Sequence, residues 1–369
     1  MNYLAVDIKH LATYVLVVSS GLYITKLPLS PIYFTMIIAF VLYASHLVLT
    51  KELYIGRITA IPLVYFIYLL ISQTILDADI SSVINVLMSI GYFILVLLLA
   101  HDFQYQKLVI LLKRLVQISI PLLLFEAYYR LTHPIYILES GFDYRSVEDQ
   151  FFYPFKLNSV MYQDSNFVAT FALVLFFLAF YLKRRFKEKL KLESSLLFIV
   201  ILLSISRAAI LSVLLFIVIF YIFNKKSKVL KMLFYLVVIA SFIIGLSYIA
   251  SDGSFQSKFH LIDLFVTFLT ESNLSSLLFG VGYGNTKLLF GMGAHNFIIT
   301  HVVESGLIGF TLLSLFWIDC FFSSYKQTSF IMFPFILTGM SLAPHAIPYL
   351  YAVFAVIILI ERKSRIDGN

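Results

Sequence analysis

The stretch SVINVLMSIGYFILVLLLA (82–100) contains no Asp, Glu, Lys or Arg from end to end. Wound as an α-helix at about 1.5 Å per residue, it is long enough to cross the ~30 Å hydrocarbon core of a bilayer. Charged residues stand just outside it, with Asp77 and Asp79 before the stretch and Asp102 after it. The stretch therefore predicts a transmembrane helix.

The composition extends this prediction to the whole chain. Of its 369 residues, 61% are hydrophobic and 13% are charged, and the mean hydropathy is +0.94. Soluble domains are about half apolar and about a quarter charged. We therefore predict an all-α polytopic integral membrane protein, with about 12 transmembrane helices forming a single membrane domain, 1–369, in the lipid bilayer. The predicted spans are 10–27, 31–49, 58–76, 82–100, 107–127, 160–182, 192–205, 207–223, 231–250, 295–317, 329–344 and 346–360.

The basic residues predict the orientation of these spans. If the N-terminus lies inside, 20 of the 27 Lys and Arg residues fall in the inner gaps, including KRRFKEKLK (183–191) and KKSKVLK (225–231). Basic loops stay on the cytoplasmic side, so both termini are predicted to be cytoplasmic. The same topology accounts for the net charge of +7 without nucleic acid as a partner. The first segment lacks a basic n-region and a cleavage site, which favours a retained helix over a signal peptide.

Two long loops are predicted on the outer side. The first, 128–159, mixes charged and aromatic residues. The second, 251–294, contains SKFHLIDLFVTFL (257–269), which is predicted to lie as an amphipathic helix at the interface. Its glycine-rich end, 279–293, predicts a tight turn back into the membrane. Four cations of these loops are each most simply a solvated charge, of which one or two are expected to hold an anionic substrate: Arg130, Arg145, Lys258 and Lys287.

The densest group of ionisable side chains lies in AHNFIITHVVESGLIGF (294–310). A histidine at the outer end of a span can take a proton from a sugar hydroxyl, because its pKa lies near the working pH. His301 and Glu304 are three residues apart, so they share one face of a helix, and Glu304 could orient a histidine. The alternative is a hydrogen-bonded packing cluster between helices. The candidate residues here are His295, Asn296, His301 and Glu304.

Two further segments carry candidates. In SISRAAILSVLLF (204–216), Arg207 lies near the outer face, where its guanidinium could bind a diphosphate. The alternative is an arginine at a helix end whose side chain extends to the membrane–water interface. In NSVMYQDSNFVATFA (158–172), Asp164 and Asn166 begin a span, where capping is the simpler explanation of an acidic residue. His345, near the outer end of the last helical pair, is a weaker candidate for the same cavity.

Metal and cofactor chemistry are not predicted. The single cysteine, Cys320, excludes an internal disulfide and a cysteine metal cluster. Asp77 and Asp79 form an acidic pair without a neighbouring histidine. GVGYG (280–284) follows no strand, so it does not predict a dinucleotide loop.

Together these segments resemble the O-antigen polymerase and O-antigen ligase family of bacterial membrane glycosyltransferases. The ligase-type motif is His, then Asn, Ser or Gln, nine residues, Gly, two residues, and Gly, Thr or Tyr. The run from His295-Asn296 to Gly306 and Gly309 matches it in full. LLFGVGYG (277–284), SISRAA (204–209) and DSNFVA (164–169) resemble further motifs of the family, in the same order. The matched stretches cover about 158–310, and the second loop departs from the family because it offers only lysines.

The resemblance implies chain assembly on undecaprenyl diphosphate at the periplasmic face of a bacterial inner membrane, with no cofactor. The predicted catalytic residues are His295 for the acceptor hydroxyl, Arg207 for the departing diphosphate, and Glu304, which could orient a histidine. Asp164 and Asn166 are implied to bind sugar hydroxyls or to hold the arginine. A polymerase, working with a flippase and a chain-length regulator, is favoured over a ligase that transfers the glycan to lipid A-core. A lipid-linked oligosaccharide transporter is the alternative of another class, although no internal repeat is visible.

Overall fold

A computed structural model describes residues 2–51, 56–135, 154–162, 164–224, 232, 253–293, 295–342 and 344–366. Within these ranges all regular secondary structure is helical, and β-pairing is limited to one isolated bridge between Ile24 and Met161. Six of the described helices are long and apolar enough to cross a membrane. The all-α fold and the membrane character agree with the sequence, and the number of twelve spans stays a prediction.

We number the described helices in chain order. They are α1 (Asn2–Ser19), α2 (Pro31–Thr50), α3 (Ala60–Ile75, after a 3-10 turn at Arg57–Thr59), α4 (Ile80–Ala100), α5 (Tyr105–Thr132), α6 (Pro154–Leu157), α7 (Ser165–Phe186), α8 (Lys191–Leu203), α9 (Arg207–Asn224), α10 (Gly253–Glu271), α11 (Leu274–Phe279), α12 (Thr286–Phe290), α13 (Phe297–Ser323), α14 (Ser329–Gly339) and α15 (Pro348–Ile366).

Most predicted spans coincide with one helix each, and the differences lie at their ends. The span predicted at 231–250 falls outside the described residues. Helix α1 stops at Ser19, well before the predicted end at 27, and α5 continues to Thr132, into the predicted first loop. Helix α10 includes the segment 257–269, for which an amphipathic helix was predicted.

The core is built around α15. From Pro348 to Ile360 this helix is buried on every face, as expected for a helix that is apolar all round. It packs against α4, α5 and α7. Helix α2 lies at the periphery, where Ile37, Phe40 and Val41 are exposed. In a bilayer such side chains would face lipid rather than water.

The connections between helices gather at two ends of the bundle. At one end, which we call the site end, the 3.0 Å bond from Lys258 Nζ to Ser341 Oγ joins α10 to the segment after α14. At the other, the basic end, ion pairs of 2.6 Å and 3.3 Å link Lys113 to Glu188 and Arg185 to Glu361. Every predicted site residue that the structure describes lies either at the site end or slightly deeper in the bundle below it.

Helix α13 is broken at Gly306, whose φ of 69° and ψ of 178° are not helical. The break frees backbone carbonyls inside an apolar span, where each must find a donor within the protein. Val281 N donates to Val303 O at 2.9 Å and Gly282 N to Glu304 O at 3.1 Å. The segment 280–284 therefore packs directly on the break, with positive φ at its three glycines.

Candidate functional site

Asp164 and His295 are 131 positions apart in the sequence, and the fold places both at the site end, within electrostatic range of each other. Asp164 caps α7, since its Oδ1 accepts from the backbone N of Asn166 at 2.7 Å. Burial raises the pKa of the Asp164 carboxyl, while the nearby charges of Lys156, His295 and Arg130 oppose that rise. The capping interpretation is therefore correct for Asp164, and the carboxylate also interacts electrostatically with His295.

His295 precedes α13 and keeps an exposed edge. Its protein surroundings bury enough of the ring to lower its pKa below the ordinary value of 6.5. The Asp164 carboxylate acts in the opposite direction, and the Lys258 ammonium lowers the pKa further. An accessible imidazole with a lowered pKa, within electrostatic range of a carboxylate, has the properties of a general base.

Asn296 fixes the start of α13. Its Oδ1 accepts from the backbone N of Ile298 at 3.0 Å and of Ile299 at 3.1 Å, and its Nδ2 donates to Met340 O at 3.3 Å. The amide thus acts as an N-cap and ties α13 to the end of α14. These contacts hold the backbone on which His295 is carried.

Arg207 is exposed and opens α9. The turn before it contains Ile205 with a φ of 57°, a left-handed conformation that is rare for a β-branched residue. Ser165 Oγ donates to Ser204 O at 2.8 Å, which anchors this turn to the first residue of α7, beside Asp164. Arg207 therefore lies at the same end of the bundle as Asp164 and His295.

Arg130 has a different environment from the one predicted. Its side chain is fully buried, with Nε donating to Glu126 Oε1 at 2.9 Å and Nη2 to Leu203 O at 2.9 Å. Nη1 donates to the Phe155 carbonyl. The expectation of a solvated loop cation was wrong here, because α5 is longer than predicted and carries Arg130 into the protein. Its guanidinium joins α5, α6 and the end of α8.

The remaining predicted cations are dispersed. Lys258 lies on α10 and bonds to Ser341, close enough to His295 to influence its pKa. Lys287 is exposed in the last turn of α12. The side chain of Asn166 is partly buried in the first turn of α7. Arg145 lies outside the described residues.

Glu304 lies deeper and pairs with His345. The carboxylate is almost completely buried, and Oε2 accepts from His345 Nε2 at 3.0 Å. Oε1 accepts from Thr286 Oγ1 at 2.7 Å. Glu304 therefore orients a histidine, as predicted, but that histidine is His345 from the segment between α14 and α15.

His301 belongs to the same interior network. Its Nδ1 lies 2.8 Å from the hydroxyl of Tyr283, which in turn lies 3.2 Å from the hydroxyl of Tyr65. The His301 ring packs edge-on against Phe297 at 4.3 Å. His301 is buried, so its described contacts are with the protein interior rather than with the exposed groups around His295.

Several polar residues of these networks were not singled out from the sequence. Glu126 precedes Arg130 by four positions, a helical spacing that favours ion pairs and was a usable signal. Tyr283 and Thr286 lie in a segment noticed only for its glycines, and nothing local marks them as partners of His301 and Glu304. Their pairing depends on the fold of 280–286 onto α13.

Metal-ligating groups do not gather in the part of the chain that the structure describes, where no three His, Cys, Asp or Glu side chains come together. Asp79 caps α4, accepting from Ser82 N at 2.8 Å, and hydrogen bonds from the Ser82 side chain and backbone lower its pKa. Among known proteins, no family model matches the chain and no curated protein matches its sequence.

Proposed function

We propose that this protein is an inverting membrane glycosyltransferase that polymerises oligosaccharide repeat units linked to undecaprenyl diphosphate. The observation that carries the proposal is an exposed His295 directly before α13, within electrostatic range of the Asp164 cap of α7, at one end of an apolar bundle. The arrangement offers a base to water-soluble sugars beside helices suited to a lipid donor. The resemblance of the surrounding motifs to the O-antigen polymerase and ligase family adds the choice of substrate.

In the proposed reaction His295 takes the proton of an acceptor sugar hydroxyl. The hydroxyl oxygen then forms a bond to the anomeric carbon of the donor glycan, on the face opposite the diphosphate. The bond from that carbon to the diphosphate oxygen breaks, and the oxygen leaves with the electron pair as undecaprenyl diphosphate. The proton remains on His295, where the Asp164 carboxylate stabilises the imidazolium until solvent removes it.

Arg207 and Lys258 supply positive charge for the departing diphosphate. Arg207 is exposed at the first residue of α9, where the helix dipole also favours an anion. Lys258 lies near His295, and its ammonium is a compact charge without the fork geometry of arginine. Stabilising charge that develops as a bond breaks is among the largest contributions to catalysis.

The first test is deletion of the gene in its host and analysis of the surface polysaccharide on a gel. A polymerase defect leaves lipid A-core with a single repeat unit. Wild type should restore the ladder, whereas Arg207→Ala and His295→Ala should not. His101→Ala, at the basic end, and Arg114→Ala are matched controls that should restore it.

The same gel separates the related activity. Bare core with an accumulation of long lipid-linked polymer would indicate a ligase. An unchanged ladder after deletion would contradict both glycosyltransferase activities for that polysaccharide. A polymerase also implies a flippase that delivers the donor and a chain-length regulator as partners.

A lipid-linked oligosaccharide transporter is the second candidate, and the break at Gly306 is the observation that favours it. Transporters use broken helices whose free carbonyls coordinate ions or substrate. Here the Val303, Glu304 and Ser305 carbonyls already accept from protein donors, including the Tyr68 hydroxyl at 2.7 Å. Because these carbonyls are already hydrogen-bonded within the protein, the break serves helix packing and not ion or substrate binding. This favours the enzyme over the transporter.

A further inference from the structure

A buried ion pair between Glu126 and Arg130 lies near the end of α5 and has no part in the reaction proposed above. Both side chains are completely inaccessible, and Arg130 Nε donates to Glu126 Oε1 at 2.9 Å. A buried ion pair is weak evidence for stability, because the desolvation of two charges offsets their attraction. Stability alone therefore does not account for the pair, and its other hydrogen-bond partners indicate a further role.

Arg130 holds the end of α8. Its Nη2 donates at 2.9 Å to the carbonyl of Leu203, the last residue of that helix. The last carbonyls of a helix have no partner within the helix, and a cation beside them favours the helix dipole. Nη1 donates to the Phe155 carbonyl of α6. One guanidinium thus joins α6 and α8 to the Glu126 carboxylate of α5.

The turn between α8 and α9 leads directly to Arg207. Ile205 in this turn has a φ of 57°, a conformation that a β-branched residue keeps only where the surrounding contacts impose it. Ser165 Oγ donates to Ser204 O at 2.8 Å. The turn is therefore held by a neutral donor at Ser204 and, one residue earlier, by the Arg130 guanidinium.

Glu126 connects the same ion pair to the segment before α7. The Ser159 hydroxyl donates to Glu126 Oε1 at 2.9 Å, and Asp164 follows Ser159 by five positions. Arg130 also acts on Asp164 itself: burial raises the pKa of that carboxyl, and the Arg130 charge opposes the rise. The ion pair is therefore a common neighbour of the two segments that carry Asp164 and Arg207.

We propose that Arg130 is a positioning residue, which fixes the turn before α9 so that Arg207 faces the departing diphosphate. This rests on the proposed function, in which Arg207 stabilises that leaving group. The planar guanidinium binds two carbonyls and a carboxylate at once in fixed directions, which a lysine ammonium cannot do. A neutral donor would cap α8 with a smaller cost of desolvation, so the fork of arginine is the property that this position uses.

The first measurement follows the turn and does not depend on activity. Hydrogen exchange of the full-length protein in detergent, read by mass spectrometry, covers residues 204–206, whose backbone amides are hydrogen-bonded. Arg130→Lys should speed exchange there by about tenfold or more, because the turn opens more often. Arg185→Lys is the matched control, since Arg185 pairs with the buried Glu361 at the basic end, and it should leave exchange at 204–206 unchanged.

The second measurement follows catalysis on a lipid-linked repeat unit. Arg130→Lys should lower kcat by about 10–100-fold with little change in KM, because the diphosphate charge that Arg207 meets develops only in the transition state. In an Arg207→Ala background the same change should lower the residual rate by less than about twofold, since residues that act through one group are not additive. Arg185→Lys should keep kcat in both backgrounds.

Glu126→Gln guards against misfolding of Arg130→Lys. It keeps an oxygen acceptor for Arg130 and Ser159 but removes the charge that orients the guanidinium. Its loss of kcat should be smaller and should depend on Arg207 in the same way. A loss that is independent of Arg207 would contradict the proposal.

Two further results would overturn the positioning role. One is an equal loss of kcat from Arg130→Lys in the wild-type and Arg207→Ala backgrounds, which would show that Arg130 supports the fold in general. The other is unchanged exchange at 204–206 in Arg130→Lys. Wild-type protein that does not polymerise would contradict the proposed function instead, and the exchange rates would still show whether Arg130 holds the turn.

Discussion

Exposed His295 and buried Glu304 lie on the same segment of chain, yet their surroundings are opposite. His295 keeps an exposed edge, and its pKa is lowered first by burial in the protein and then adjusted by the charges of Asp164 and Lys258. Glu304, nine positions later, accepts short hydrogen bonds from Thr286 and His345 and is nearly inaccessible. One sequence motif can therefore contain both a side chain that is accessible to substrate and a side chain that stabilises the fold.

The largest expected effect is on His295. His295→Ala should lower the polymerisation rate by about 10²–10⁴-fold, the usual contribution of a general base. Its melting temperature in detergent should stay at the wild-type value, because the cap of α13 belongs to Asn296. Activity of the purified variant on a lipid-linked repeat unit, measured beside its thermal melting, checks both parts. If the loss of activity were accompanied by a lower melting temperature, His295 would have a structural role, as Glu304 does.

The next effect concerns the break in α13. Gly306→Ala should destabilise the protein by about 3 kcal/mol, since its φ of 69° and ψ of 178° suit only glycine. A Cβ there would also collide with the Leu278 carbonyl oxygen. Thermal melting and the yield of monodisperse protein measure the loss.

Gly291→Ala is the matched control for that change. Gly291 has a φ of 70°, but nothing lies within 4 Å of an added Cβ. Gly291→Ala should therefore lower the free energy of unfolding by about 1 kcal/mol, which is the penalty of the left-handed conformation alone. Equal losses in the two variants would show that the contact between 280–284 and α13 is unimportant.

The buried pair gives a smaller effect. Glu304→Gln should lower the free energy of unfolding by about 1–3 kcal/mol, because a buried acceptor of two hydrogen bonds is weakened. A double-mutant cycle with His345→Ala should show a coupling of about 1 kcal/mol between the two side chains. Glu271→Gln, an exposed carboxylate on α10, is the control and should leave stability unchanged. Glu304→Gln with full stability and no activity would instead support a catalytic role for this carboxylate.

The apolar blocks predicted the helices well, because a long apolar segment must either be buried in the protein or face lipid, and a helix satisfies its backbone hydrogen bonds in both environments. The run at 82–100 became α4, and the Asp164 cap began α7 as its residue type suggests. Helix ends were less predictable. The sequence predicts a loop at Arg130 because charge normally ends a span, whereas in the structure Glu126 pairs with it inside the protein.

The site was only partly predictable for a related reason. The sequence indicates both Asp164 and His295, but their relative position depends on α14 and α15, which contact both α7 and α13. The pairing of Glu304 with His345 depends on the segment between α14 and α15, and the break depends on which glycine of α13 receives the 280–284 turn. These are contacts between distant segments, which neither hydropathy nor motif spacing contains.

The smallest expected effect separates the exposed group from the buried one by pH. If neutral His295 is the base, activity rises with pH through its pKa, which lies below 6.5. Asp164 raises that pKa, so Asp164→Asn should move the acidic limb of the rate profile to lower pH while an Asn still caps α7. Lys258 lowers the pKa, so Lys258→Met should move the limb to higher pH.

Each shift should be under about one pH unit, because the interacting charges are partly solvated. Lys258→Arg keeps the charge and should leave the limb in place. Rates of the purified variants across pH 4–9 measure the limb, and the opposite signs make the result specific, since a general loss of structure would move neither limb in a defined direction. Shifts of the same sign in Asp164→Asn and Lys258→Met would remove His295 from the role of base, and the exposed and buried groups would then no longer differ in function.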